Sequence, residues 1–146
     1  MKSEAVHVFV YGTLKPGEIN YQRYCADKVL TVKRAIAFGR LYHLPVGYPA
    51  MTLGGDCAER SAKGDRVEGF VLSFPNVEVL DYLDLLEDYH PRRPIEENEY
   101  YRQQIDTYNL DLTSLSSAWV YLMTPKQVNT FGGRRLPNGW WSSCLP

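Results

Sequence analysis

The chain has 146 residues, 45% of them apolar and 23% charged, and its 16 basic and 17 acidic side chains leave a net charge of −1. That length and composition suit one globular domain, residues 1–146, able to hold a core without disulfide or metal. The even charge excludes the basic surface that phosphate-backbone binding requires, and no run of about 18 apolar residues offers a membrane span.

Cys25, Cys57 and Cys144 stand at unrelated spacings and form no CxxC, so a disulfide framework is not expected. The Met-Lys-Ser-Glu-Ala start has none of the apolar character of a secretion signal. A reduced, cytoplasmic setting follows as the expectation. The 11 tyrosines are a high count, suited to strands and polar-lined pockets because the ring is apolar while the hydroxyl bonds.

In chain order, Val6–Tyr11 is rich in β-branched and aromatic residues and apolar on both faces apart from His7, which predicts a doubly covered strand. It stops at the turn cluster Gly12-Thr13-Leu14-Lys15-Pro16-Gly17. Asn20–Cys25 fits a short helix. Lys33–Leu44 reads as a second strand region, ended by Pro45, Gly47 and Pro49, and Gly54-Gly55 and Gly64 bracket a loop. Arg66–Phe74, Tyr100–Asn109 and Ala118–Met123 supply further strands, with Asp111–Ser117 as a polar connection between the last two. Residues 124–146 show no period and read as an irregular tail, docked through Trp140 and Trp141.

The clearest helix is Val77–Asp88. Asn76 stands at the N-cap position, Pro75 precedes it, and Glu78 complements the positive first turn. At about 100° per residue, Val79, Tyr82, Leu83 and Leu86 gather on one arc, with Glu78, Asp81, Asp84 and Asp88 opposite. Glu87 departs from that division, projecting between Leu80 and Leu83 at the edge of the apolar arc. A carboxyl group there loses water, which disfavours its charge, and Asp84 one turn earlier adds like-charge pressure. Such a glutamate can take and give a proton near neutral pH. Taken alone, a boundary glutamate more often reaches outward to water or an arginine.

A second feature joins it. A buried strand ending in Tyr11-Gly12-Thr13-Leu14 leaves backbone N–H groups without ladder partners, a concavity suited to a carboxylate or a developing oxyanion. Arg92-Arg93 and Arg134-Arg135 read as solvated loop charges. His7, His43 and His90 are scattered, without metal-ligand spacing, and no nucleophile elbow or phosphate-binding loop is present. Cys25 and Cys57 lack an identifiable base and read as buried structural thiols.

Six segments in order, VFVYGTLKPGEIN (Val8–Asn20), GRLYHLPVGYPAM (Gly39–Met51), VEGFVLSF (Val67–Phe74), LDLLEDY (Leu83–Tyr89), EYYR (Glu99–Arg102) and AWVYLM (Ala118–Met123), resemble the γ-glutamylcyclotransferase-like family. LPNGWW (Leu136–Trp141) is a looser version of its closing Gly-x-Trp element. The resemblance implies an α+β fold, a small mixed β-barrel flanked by short helices, and no metal or organic cofactor. It implies a small-molecule γ-glutamyl substrate, cyclised to 5-oxoproline with release of an amine. Its acid/base glutamate falls on Glu87, its substrate-binding turn on Tyr11, Gly12, Thr13 and Leu14, and its pocket wall on Tyr101 and Tyr121. Asp88 stands where glycine often follows the glutamate, and the charged stretch His90–Glu99 is expected near the pocket mouth.

Two other readings compete: a non-catalytic small-molecule-binding module, and a protein-interaction module using Phe131 and Trp140-Trp141. A pure binder would tolerate Gln in place of Glu87, and a docked tail speaks against the interaction module.

Overall fold

The computed structural model describes residues 5–53, 66–94 and 97–142. Cys57, Cys144 and the glycine-bracketed loop at 54–64 lie outside them. The first strand, β1 (Val6–Val10), is buried at every position except the half-buried His7, whose Nδ1 lies 2.7 Å from the Ser73 hydroxyl. Its side chains alternate, as those of any strand must. Val6, Val8 and Val10 enter one apolar cluster, and Phe9 joins a second.

After the turn come α1 (Ile19–Tyr24), β2 (Thr31–Phe38) and β3 (Arg40–His43). The continuous strand region predicted over Lys33–Leu44 is therefore two strands, parted at Gly39. They belong to different sheets. The others are β4 (Pro49–Thr52), β5 (Arg66–Phe74), α2 (Glu78–Leu86), β6 (Tyr101–Tyr108), β7 (Ser114–Leu122), α3 (Pro125–Thr130) and β8 (Arg134–Arg135). β7 begins at Ser114, inside the polar stretch expected to be a connection. Polar side chains stay compatible with pairing where a strand's outer face meets water.

Strands β1-β5-β2-β6-β7 close into a barrel. Neighbours are antiparallel except β1 and β7, which meet in parallel at Val8↔Trp119. The mixed α+β barrel with short flanking helices is the expected fold class. β5 lies between β1 (Val8↔Leu72) and β2 (Ala35↔Gly69). A Cβ on Gly69 would stand 2.2 Å from the Val10 carbonyl oxygen, so glycine is what lets β1 close onto β5 there. A second sheet, β4-β3-β8, packs beside the barrel.

Helix α2 covers the cluster that contains Val6, Val8 and Val10, and buries Val79, Leu80 and Leu83 against it. Each such side chain contributes roughly 2 kcal/mol on burial. Tyr82, expected on the buried arc, is 53% exposed, because the buried face centres on Leu80 and Leu83. Asn76 does serve the helix start: its Oδ1 accepts the Glu78 amide at 2.9 Å.

The tail is more ordered than its sequence suggests. Thr124 and Gln127 form a capping box that starts α3, and β8 pairs with β3. Trp141 is 1% exposed, its Nε1 lies 3.0 Å from His43 Nδ1, and its carbonyl accepts a hydrogen bond from the Lys15 ammonium. Lys15 also lies 3.4 Å from the centroid of the Trp140 ring. The tryptophans are docked, so the reading that they form an exposed protein-binding surface is set aside; Phe131 alone of the three is exposed.

Candidate active site

A cavity of about 210 Å³ opens between the exit of β1, the end of α2 and the segments before β4 and β6. Phe9–Leu14 and Asn20 line one side, Leu86, Glu87 and Tyr121 a second, and Tyr48, Pro49, Glu99 and Tyr100 a third.

The amides of Gly12, Thr13 and Leu14 donate to no acceptor among the described residues. The turn is held through its carbonyls and one hydroxyl: the Lys15 amide donates to the Gly12 carbonyl, the Asn20 amide to the Thr13 carbonyl, and Asn20 Nδ2 to the Thr13 hydroxyl. Gly12 is required for packing. A Cβ there would meet Pro49 Cγ at 2.5 Å, so the turn passes directly beneath the start of β4. Tyr11 is part of the frame: its hydroxyl donates to the Tyr121 carbonyl at 2.6 Å and lies 3.2 Å from the Met51 amide, whose hydrogen it receives.

Glu87 is the C-cap of α2. Its amide still bonds the Leu83 carbonyl at 2.9 Å, which keeps its side chain in the buried sector of Leu80 and Leu83. Asp88 follows with φ of 55°, a left-handed conformation that glycine adopts freely and aspartate tolerates. This accounts physically for glycine's suitability at that position. Arg93 bonds both the Asp88 carbonyl and its carboxylate, at 2.9 and 3.1 Å.

The Glu87 carboxyl group has no hydrogen-bond partner among the described residues. Burial in the first place, and the Glu99 carboxylate in the second, push its pKa up to about 8. The expectation that Asp84 supplies the like charge is corrected. Asp84 is claimed by Arg102, through Nε at 2.9 Å and Nη2 at 3.1 Å, and by the Tyr121 hydroxyl at 2.6 Å. Its charge is compensated before it can act on Glu87.

Tyr121 thus lines the cavity with its hydroxyl already engaged, and burial raises its pKa well above the phenol range. Tyr101, the other expected wall residue, is placed elsewhere. Consecutive side chains there face opposite ways: Tyr100 lines the cavity and Tyr101 packs into the second cluster, with Phe9, Val71 and Val120. Tyr100 donates its hydroxyl to the Pro49 carbonyl at 2.6 Å. Sequence reasoning also missed Tyr48 and Glu99, whose hydroxyl and carboxylate are hydrogen-bonded to each other. Both lie inside recognised segments, GYPAM and EYYR, but local sequence carries no sign that they meet. Asn98 brings Glu99 to the mouth by clasping His90 on both its amide and its carbonyl, at 2.9 and 3.3 Å. Among the described residues no group of three or more His, Cys, Asp or Glu side chains is placed to hold a metal ion. Cys25 is buried, with burial pushing its thiol up to about 12.

Residues 8–143 match the profile of the family described as "Gamma-glutamyl cyclotransferase, AIG2-like". The chain belongs to this family. A curated Drosophila melanogaster relative, "Putative gamma-glutamylcyclotransferase CG2811", is 27% identical over 129 residues, spanning 82% of this chain and 70% of the fly protein. Among solved structures, a mouse AIG2-like protein superposes with a TM-score of 0.67 at 21% identity, over 98% of this chain and 92% of that one. The Arabidopsis thaliana protein At5g39720.1 follows with a TM-score of 0.55 at 25% identity, over 82% and 68%. At such identities the mouse structure speaks for the cyclotransferase-like barrel alone.

Proposed function

We propose that this chain is a cofactor-independent γ-glutamylcyclotransferase with Glu87 as its general acid/base. The observation that carries the reading is a carboxyl group raised to about 8 in a cavity floored by three unengaged amides.

Among the described residues no Lys or Arg side chain lines the cavity, and the unengaged Gly12–Leu14 amides are donors for the substrate's α-carboxylate. Held there, the γ-glutamyl chain curls, and its α-amine attacks its own γ-carbonyl carbon. A well-oriented internal attack of this kind has an effective molarity of roughly 10⁵–10⁸ M. The N–C bond forms, Glu87 takes the proton that the α-nitrogen sheds, and the same proton passes to the leaving nitrogen as its bond to the carbonyl carbon breaks. The products are 5-oxoproline and a free amine.

The raised proton affinity matters because bond formation makes the attacking α-amine nitrogen ammonium-like, and a nitrogen of that kind holds its proton up to about pH 8. A glutamate of ordinary acidity would accept that proton uphill by about 5 kcal/mol, and one raised to about 8 accepts it almost level.

The test is incubation of the purified protein with a panel of γ-glutamyl amides, with 5-oxoproline and amine quantified by chromatography. The expected result is equal amounts of the two. Release of free glutamate in place of 5-oxoproline, or no product from any amide, overturns the reading.

A further inference from the structure

Lys15 directly follows the three unengaged amides and does not line the cavity. Its backbone closes the turn on both sides. The amide donates to the Gly12 carbonyl at 3.0 Å, and the carbonyl accepts the Glu18 amide at 2.9 Å, at the entry to α1. The side chain is 1% exposed, a rare place for a lysine, and no carboxylate forms an ion pair with it among the described residues. Its ammonium is met instead by the Trp141 carbonyl and the face of the Trp140 ring. Burial pushes its pKa down to about 8, Glu18 opposes that shift and Arg34 adds to it, so the group is still an ammonium at neutral pH.

The two tryptophans are fixed to the barrel and its neighbouring sheet without help from Lys15. The Glu68 amide donates to the Gly139 carbonyl at 2.8 Å, the Leu136 amide donates to the Leu41 carbonyl at 2.8 Å, and Trp141 Nε1 lies 3.0 Å from His43 Nδ1. A Cβ on Gly139 would stand 2.0 Å from the Arg66 carbonyl oxygen, so the tail passes hard against β5. Phe70 meets the Trp140 ring edge-on, with 6.3 Å between centroids. A lysine whose ammonium ends on so closely held a support loses the freedom of its stem, and its backbone loses freedom with it.

We propose that Lys15 is a positioning residue: its ammonium, held by Trp140 and Trp141, fixes the turn so that the Gly12, Thr13 and Leu14 amides are presented to the substrate's α-carboxylate. The carboxylate's place on the turn rests on the cyclotransferase reading above. The C-terminal tail acts on the cavity through this one side chain and touches no reacting atom.

Lys15→Met keeps the apolar stem and removes the ammonium. Its effect is read by calorimetric binding, in a Glu87→Gln background that slows turnover, of γ-glutamyl butylamide and of the same compound with an α-carboxamide in place of the α-carboxylate. With Lys15 present the carboxylate form binds about tenfold more tightly, the scale of charge-assisted hydrogen bonds. Lys15→Met brings that margin down to about twofold and leaves the carboxamide form unaffected, because only the carboxylate feels the turn amides. With Glu87 intact, KM for the carboxylate form rises about tenfold while kcat stays within about twofold, as when binding shared by ground and transition states is lost. A merely structural lysine lowers stability in urea and leaves the margin in place, and that result overturns the proposal.

Trp140→Leu and Trp140→Phe repeat the test from the other side of the contact and serve if Lys15→Met does not fold. The leucine variant loses the margin and the phenylalanine variant, which keeps an aromatic face, retains most of it; equal margins in the two overturn the clamp. If no γ-glutamyl amide yields 5-oxoproline, yet the margin is present and disappears with Lys15→Met, the clamp stands and the cyclisation falls. If 5-oxoproline forms and the margin ignores Lys15 and Trp140, the cyclisation stands and the clamp falls. Wild-type binding indifferent to the α-carboxylate overturns the clamp as well.

Discussion

Arg102 grips Asp84 with two bonds, Nε to Oδ1 at 2.9 Å and Nη2 to Oδ2 at 3.1 Å, three residues before Glu87 in the chain. The guanidinium is itself stacked 4.6 Å from the Trp119 ring and 5.4 Å from the Tyr89 ring. Two carboxyl groups on the same helix end therefore have opposite circumstances. Asp84 is paired and bonded; Glu87 is unpaired and lies in the cavity.

Glu87→Gln keeps the shape of the side chain and removes its proton chemistry. Turnover of a γ-glutamyl amide is expected to fall at least about 100-fold, with substrate affinity largely kept, since general acid–base catalysis is typically worth 10²–10⁴-fold. Steady-state kinetics on the variant check this, with circular dichroism to verify the fold. Near-normal turnover ends the assignment.

The pH profile follows from the direction of the Glu87 shift. Below about pH 8 the carboxyl group holds a proton and cannot receive another, so kcat/KM falls by about tenfold per pH unit on the acid side. Glu99→Gln removes a charge that favours the protonated form, and the acid limb moves to lower pH. A limb that stays in place in that variant removes Glu99 from the tuning of Glu87.

Stability has the matching dependence. Glu87 binds its proton more tightly when folded than when unfolded, so between about pH 4.5 and 8 the unfolded chain has released a proton that the folded chain keeps. Stability therefore declines as pH rises through that window, by at most about 1.4 kcal/mol per pH unit, less in practice because the side chain keeps some accessible surface. Glu87→Gln escapes this loss. Denaturant melts at pH 5 and pH 8.5 test it: the variant's advantage over the wild type grows with pH.

Arg102→Leu leaves Asp84 half-buried and without its cation. A loss of about 3 kcal/mol is expected, the cost of breaking a largely buried pair from one side. The double variant with Asp84→Asn recovers part of it, and urea unfolding of the four proteins in the cycle gives the coupling. In the single variant the freed Asp84 charge also raises the acid limb of kcat/KM, a readout that loss of packing alone leaves in place.

Local pattern determined a good deal. β-branched residues on both faces of Val6–Val10 marked a covered strand, and β5 took its predicted bounds, Arg66–Phe74. Helical periodicity placed Glu87 in the sector of Leu80 and Leu83, because a residue's direction around a helix depends only on its neighbours in sequence. Tertiary structure decided what surrounds it. Tyr48 meets Glu99 from 51 residues away, Arg102 and Tyr121 reach Asp84 across 18 and 37, and Trp141 docks on Lys15 across 126. The phase of one strand sends Tyr100 to the cavity and Tyr101 into the other cluster. Charges and hydroxyls act through space, so the chain's own order sets which way Glu87 faces while the closed barrel chooses the groups that set its affinity for a proton.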